Sequence, residues 1–273
     1  MAGFDTIPAH ALERMKGLRG AGHAGGVFTS DFSVNEFLLV RKAGFEPIGL
    51  CVGSCIYHLG FQMANWTKNQ EMTTLSQAMY EARELAMARM RAEAKDMGAD
   101  GIVGVRLTVK RMEWDSKVLE FVAIGTGIVH ASGHEGFKGP KGEPFTSDLS
   151  GQDFWTLLQA GYRPLEMVMG SCVYHVAHQG MLKSLGNIGQ NVELTNFSQA
   201  LYDAREIAME RMQNEANEAG AEGVVGVDLH EGSHNWAPHI IEFFAIGTAV
   251  IPIAAELDPS AIPDPQLVLS VNS

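Results

Sequence analysis

The chain is written twice, and no other feature of it restricts the fold so strongly. FTSDFSVNEFLLVRKAGFEPIGLCVGSC, starting at Phe28, returns at Phe145 as FTSDLSGQDFWTLLQAGYRPLEMVMGSC, 117 residues later. SQAMYEARELAMARM at 76–90 returns as SQALYDAREIAMERM at 198–212, by which point the offset is 122. The second copy therefore carries five extra residues between His175 and Asn196, in a Gly- and Asn-rich stretch where a loop absorbs length. Two domains are expected, at 28–131 and 145–251, joined by a Gly- and Pro-containing linker at 132–144. The segments 1–27 and 252–273, the first rich in Gly and Ala and the second punctuated by proline, are expected to be mobile ends.

Periodicity places the elements inside each copy. Ser33 with Glu36, and Ser150 with Asp153, form capping boxes that start a short helix, and Gly44 and Gly161 stop it. A strand follows, in which Ile48, Leu50, Val52, Ser54 and Ile56 share one face by alternation, the face expected to carry the apolar side. A long helix is predicted from Thr74, capped through Gln77, to Gly98. Leu75, Met79, Ala82, Ala86, Met90 and Met97 form its apolar stripe, and Phe197, Leu201, Ala204, Ala208 and Met212 form that of the other copy. Each copy closes with a hairpin, through MEWDS in the first and SHNWAP in the second. The fold class is α+β: two tandem β-α-β-β domains, each a small antiparallel sheet on one long helix, with an extra leading helix. In LEFVAIGTGIVH and IEFFAIGTAVIP both alternating faces are apolar, so a single helix cannot cover the sheet and a neighbouring domain must seal its other side.

Charge and cysteine usage narrow the function. The formal net charge is −12. Such a surface repels nucleic acid and anionic membranes, so neither is expected as a partner. No run of apolar residues reaches the about 18 that a spanning helix needs. Three cysteines, Cys51, Cys55 and Cys172, supply no disulfide framework and suit a reducing, cytoplasmic setting.

Two kinds of site residue are singled out. GSCIYH at 53–58 and GSCVYH at 170–175 place Cys55 with His58 and Cys172 with His175, ligand types for zinc, copper or another thiophilic metal. Positions three apart on a regular strand point to opposite faces, so chelation needs a bend or a ligand from another subunit, and the alternative is a small buried thiol. Glu120 and Glu242 interrupt apolar strands and need partners; Arg83 and Arg205 on the long helices are the obvious mates for structural ion pairs, within a domain or between subunits. His230, His234 and His239 read as loop residues around the second hairpin turn, and His130 and His134 as residues leading into the linker. GADGIVGV joins a helix to a strand, the reverse of a phosphate cradle. No acid, base and nucleophile assemble in sequence, so the chain is not expected to be an enzyme.

ARELAMARMRAEAKDMGADGIVGVRL and AREIAMERMQNEANEAGAEGVVGVDL, each followed by a closing AIGT, resemble the YbjQ-like family of heavy-metal-binding domains. The resemblance implies a dodecin-like subunit that assembles into a pentameric ring, with no established molecular activity. Tandem duplication departs from the single-domain pattern. Five domains cannot be supplied by a whole number of two-domain chains, so either five chains form two stacked rings, the favoured arrangement, or an even-membered ring closes. The expected function is that of a ring-forming homo-oligomer that binds a heavy metal at its Cys and His positions or subunit interfaces. A flavin-type carrier, with Trp66, Trp114 and Trp236 available for stacking, and a purely structural scaffold are the alternatives.

Overall fold

The computed structural model describes residues 13, 27–58, 68–112, 115–133, 135–177, 195–233 and 240–254. In chain order the elements are α1 (Val34–Lys42), β1 (Phe45–His58), β2 (Gln70–Glu71), α2 (Thr73–Met97), β3 (Gly101–Met112), β4 (Asp115–His130), β5 (Phe145–Thr146), α3 (Gly151–Gln159), β6 (Tyr162–His175), α4 (Thr195–Glu218), β7 (Gly223–Ser233) and β8 (Ile240–Pro252). Each repeat is thus an α+β unit with a leading helix, and its three long strands run antiparallel. The expected mobile ends lie outside the described residues but for Glu13, Val27 and 252–254. The extra length after Ala177, residues 113–114 of the first hairpin turn and 234–239 of the second lie outside them as well.

The leading helices begin as the sequence predicts. Ser33 and Glu36 cap α1 reciprocally, and Ser150 accepts from the Asp153 amide at α3. Gly44 and Gly161 follow with positive φ, which suits a residue without a Cβ. The long helix differs. Its N-cap is Met72, no side chain caps it, and Gln77 donates instead to Glu81. The reason is tertiary: the Met72 amide donates to the Val173 carbonyl of β6, so a strand of the other repeat does the work of a cap.

The predicted inner face of β1 is also corrected. Cys51, Gly53 and Cys55 lie buried beneath α2, whereas Ser54 and Ile56 are exposed and Leu50 and Val52 half-covered. Alternation was right and its polarity was inverted, because the side next to the helix is occupied by small residues. A Cβ on Gly53 would stand 2.0 Å from the Ala86 carbonyl, and one on Gly170 would stand 1.9 Å from the Ala208 carbonyl. The helix backbone rests directly on the strand, a contact that only glycine permits.

The repeats exchange edges. The strand order is β1-β4-β3-β5 in one sheet and β2-β6-β8-β7 in the other. β5 belongs by sequence to the second repeat yet pairs, parallel, with β3 of the first, while β2 of the first pairs with β6 of the second. Helix α2 then lies between two sheets. Leu75, Met79, Ala86 and Met90 form one core with Cys55 and Phe121 of their own sheet and with Met167, Met169 and Val173 on the outer side of the other. The expected second cover is therefore present for the second repeat's sheet and comes from the same chain.

Replacing Gly53 or Gly170 with Ala forces helix and strand apart. Overpacking of this kind costs about 1–3 kcal/mol, and each substitution is expected to lower the urea midpoint accordingly with no change in m value.

Candidate functional site

The joint between the repeats concentrates the charged and titratable groups. Arg83, on the side of α2 turned away from its own sheet, meets Glu242 of β8 at 2.7 Å, with both side chains almost fully buried. Ser171 bridges them, accepting from Arg83 at 3.0 Å and donating to Glu242 at 3.2 Å. The guanidinium also lies 3.9 Å from the centroid of the Phe244 ring. A charge this deeply buried is tolerated because it is paired, hydrogen-bonded and stacked at once. Beside it the Val173 amide donates to Ser76 Oγ at 2.9 Å.

The other two members of the predicted ion-pair set are not brought together. Arg205 is half-exposed and pairs with its neighbour Glu206, and Glu120 lies on the outer side of β4 opposite Ile56. Arg83 and Glu242 thus meet across repeats, not within one.

Next to this pair a cleft of about 360 Å³ is lined by Tyr80, Glu84, Arg91, Glu166, Glu215 and neighbouring residues of the linker and α4. Glu215 accepts from the Met169 amide at 2.7 Å and from the Tyr80 hydroxyl. Burial pushes its pKa up to about 7; the Met169 and Tyr80 hydrogen bonds oppose that rise, and the Glu84 and Glu166 charges add to it. Arg91 lies between those two carboxylates, at 3.2 Å from Glu84 and 3.7 Å from Glu166. Burial, together with the carboxylate it donates to, pushes the Tyr80 hydroxyl upward as well. Glu215 did not figure among the sequence candidates, although a signal existed: Glu93 and Glu215 fall three residues after Met90 and Met212, in line with the apolar stripe. Glu93 does the same work in the first repeat, accepting from the Val52 amide at 3.0 Å.

The Cys and His positions diverge. Cys55 is buried under α2 and His58 is exposed on the other side of β1. Burial raises the Cys55 thiol pKa, with Arg89 opposing. Cys172 is buried too, its thiol pushed up to about 12, chiefly by burial and further by Glu71. His175 is buried on the joint side of β6, with Nδ1 3.3 Å from the Lys68 carbonyl. Protonated thiols turned to one side and imidazoles turned to the other do not fit a metal within one chain. Among the described residues no three His, Cys, Asp or Glu side chains are grouped to hold one. His130 packs against Phe45 and Phe137, and His230 lies 3.1 Å from Asp228 at the surface. His134, His234, His239, Trp66, Trp114 and Trp236 lie outside the described residues. No helix among the described residues is long and apolar enough to cross a membrane.

Fold and joint together define a class: duplicated α+β units locked edge to edge, with an ion pair buried at the seam. The chain belongs to the YbjQ family, described as "Putative heavy-metal-binding", which matches residues 62–131 and 161–252. An encapsulin nanocompartment protein of Mycobacterium tuberculosis is 48% identical over 228 residues, covering 84% of this chain and 87% of that one. Single-unit relatives match too. A UPF0145 protein of Acinetobacter baylyi is 37% identical over 105 residues, 37% of this chain and 89% of its own. One of Clostridium perfringens is 33% identical over 90 residues, 31% and 83% of the two chains.

Two expectations follow from the joint. Glu242→Gln strands the buried Arg83 charge and is expected to lower unfolding stability by about 3 kcal/mol, measured by urea denaturation. The second concerns pH. Because Glu215 holds its proton more tightly when folded, its contribution is full below the ordinary carboxylate range and is lost as pH rises through about 7. The melting temperature of wild type relative to Glu215→Gln is therefore expected to fall between pH 5 and pH 8, as read by calorimetry.

Proposed function

We propose that this chain is a non-catalytic, self-assembling structural protein whose copies seal one another's open surfaces. The observation that carries the reading is the unequal treatment of equivalent positions. Val173, on the outer side of β6, is 0% exposed beneath α2, whereas Ile56, its counterpart on β1, is 61% exposed. Sequence repetition built two such faces, and the chain itself covers one. An apolar face of that kind calls for a partner.

The name of the Mycobacterium tuberculosis relative agrees with an assembly role, and we extend a place in a protein compartment to this chain on the strength of their identity across most of both sequences. The division into units at 28–131 and 145–251 with a link at 132–144 belongs to this proposal. So does a cytoplasmic setting, which suits three buried thiols. The repeats exchange short edge strands, and α2 of the first packs on the outer side of the second repeat's sheet. That placement supports an even-membered ring of domains over two stacked five-membered layers. Zinc and copper do not enter the reading, since the Cys and His donors diverge within a chain, and the tryptophans that would stack a flavin lie outside the described residues.

Native mass spectrometry of the untagged full chain tests the proposal, because it reports subunit number and bound species together. A closed multimer of whole chains without added metal mass is expected. A stable monomer at micromolar concentration would remove the proposal.

A further inference from the structure

We propose that copies join head to tail by repeating between chains the joint that each chain already makes between its own two repeats. Phe28–Ser30 of one copy adds a parallel strand to the β7 edge of the next, and Arg205 reaches Glu120 across the seam. This rests on the self-assembly reading above and names the surfaces that carry it.

The repeat offsets, 117 before the long helix and 122 after it, map β5, the β3 edge and the outer side of α2 onto counterparts at 28–30, at 222–227 and on the outer side of α4. Inside the chain, β5 and the residues after it lie along β3 through backbone hydrogen bonds that include Phe145 to Asp100, Ser147 to Ile102, Val105 to Ser147 and Gly104 to Leu149. The equivalent donor strand is Phe28–Ser30 and the equivalent acceptor edge is Glu222–Val227. Among the described residues the second sheet ends at β7, with no strand beyond it. Val105 is 2% exposed and its counterpart Val227 is 44% exposed; Phe145 is 0% exposed and its counterpart Phe28 is 42% exposed.

The donor is already set in place. Thr29 Oγ1 accepts from the Leu50 amide at 3.2 Å, as Thr146 Oγ1 accepts from the Met167 amide at 2.9 Å. Asp31 is held to Thr126 as Asp148 is held to Thr248. The Phe28 ring stacks on Phe37 with centroids 5.5 Å apart, reproducing the Phe145–Phe154 stack at 5.8 Å. In the internal joint that stack completes an aromatic cluster with Phe45, Val103 and Ile128. The exposed stack has the same shape and lacks the other half.

The acceptor has kept the space. A Cβ on Gly101 would run into the Phe145 ring at 2.1 Å, whereas one on Gly223, the equivalent glycine, would meet nothing within 4 Å. Beside β7 an open groove of about 420 Å³ is lined by Arg205, Glu206, Met209, Gln213, Val227 and Leu229. These include the counterparts of Arg83 and Met87, which the internal joint buries. Tyr202, 57% exposed, stands where Tyr80 contacts Glu215, so in the assembled pair it would reach Glu93 of the next copy. Because the two joined surfaces differ, the contact is heterologous and propagates in one direction until a ring closes. First and second repeats then alternate around it. Strand addition to an open edge supplies the affinity, and the paired charges set the register.

The full-length chain is tested by size-exclusion chromatography with light scattering, with folding checked by circular dichroism. Gly223→Val fits the isolated chain but not the joint, and Arg205→Glu opposes Glu120 of the next copy; each is expected to weaken association at least tenfold and yield folded monomer. The double change Arg205→Glu with Glu120→Arg is expected to regain the multimer. In the wild type, the amides of residues 224–227 should resist hydrogen exchange as do those of 102–105, and should lose that protection in Gly223→Val. If the wild type is multimeric but Gly223→Val keeps its mass, or the 224–227 amides exchange freely, this joint is overturned while self-assembly stands. A monomeric wild type removes both.

Discussion

Everything in this molecule turns on a helix that is buried on two sides. A helix of a two-layer unit ordinarily buries one stripe and shows the other to water. Helix α2 buries Leu75, Met79, Ala86 and Met90 against its own sheet and turns Ser76, Arg83 and Met87 into the neighbouring one. That second contact carries a charge, and a charge can be buried only beside its complement. The Arg83–Glu242 pair therefore fixes the register of one repeat on the other more narrowly than apolar contact, which is non-directional, could do.

The exchanged edge strands serve the same end by different means. β5 and β2 are two residues long and would not persist alone. β5 is anchored to its own repeat through Thr146 and the Phe145 ring, and β2 to the other repeat through the Glu71–Arg211 ion pair; each lends its backbone to the other repeat's sheet, so neither sheet is complete without residues from its neighbour. Open edges invite pairing, and proteins generally cover them. Here one edge of each sheet is covered by a short strand of the other repeat.

This division of labour also explains the GSC motif. Gly53 and Gly170 let the helix backbone touch the strand, the cysteine two residues on fills a shallow space under the helix, and the serine between them lies on the opposite face, exposed at Ser54 and buried in the seam at Ser171. In the second repeat that serine is the bridge between Arg83 and Glu242. His175 of the second repeat lies on the seam side also, three residues on from the cysteine and therefore on the opposite face of the strand.

Much of this was legible in the residues alone. Repetition, the capping boxes at Ser33 and Ser150, the glycine stops and the length of α2 follow from local rules, since helix ends and periodic stripes are decided within a few residues. The need of Glu242 for an arginine, and the apolar character of both sheet faces, could be read there too. What sequence could not supply was which arginine meets which glutamate, which side of β1 is inward, and that Met72 starts the long helix. Those depend on contacts between residues far apart in the chain. Two copies with nearly the same letters, 117 to 122 residues apart, occupy different environments because one has a neighbour in the chain and the other ends at its edge. Local chemistry determined the units, and the geometry of packing one unit on the next decided which of their equivalent surfaces are sealed.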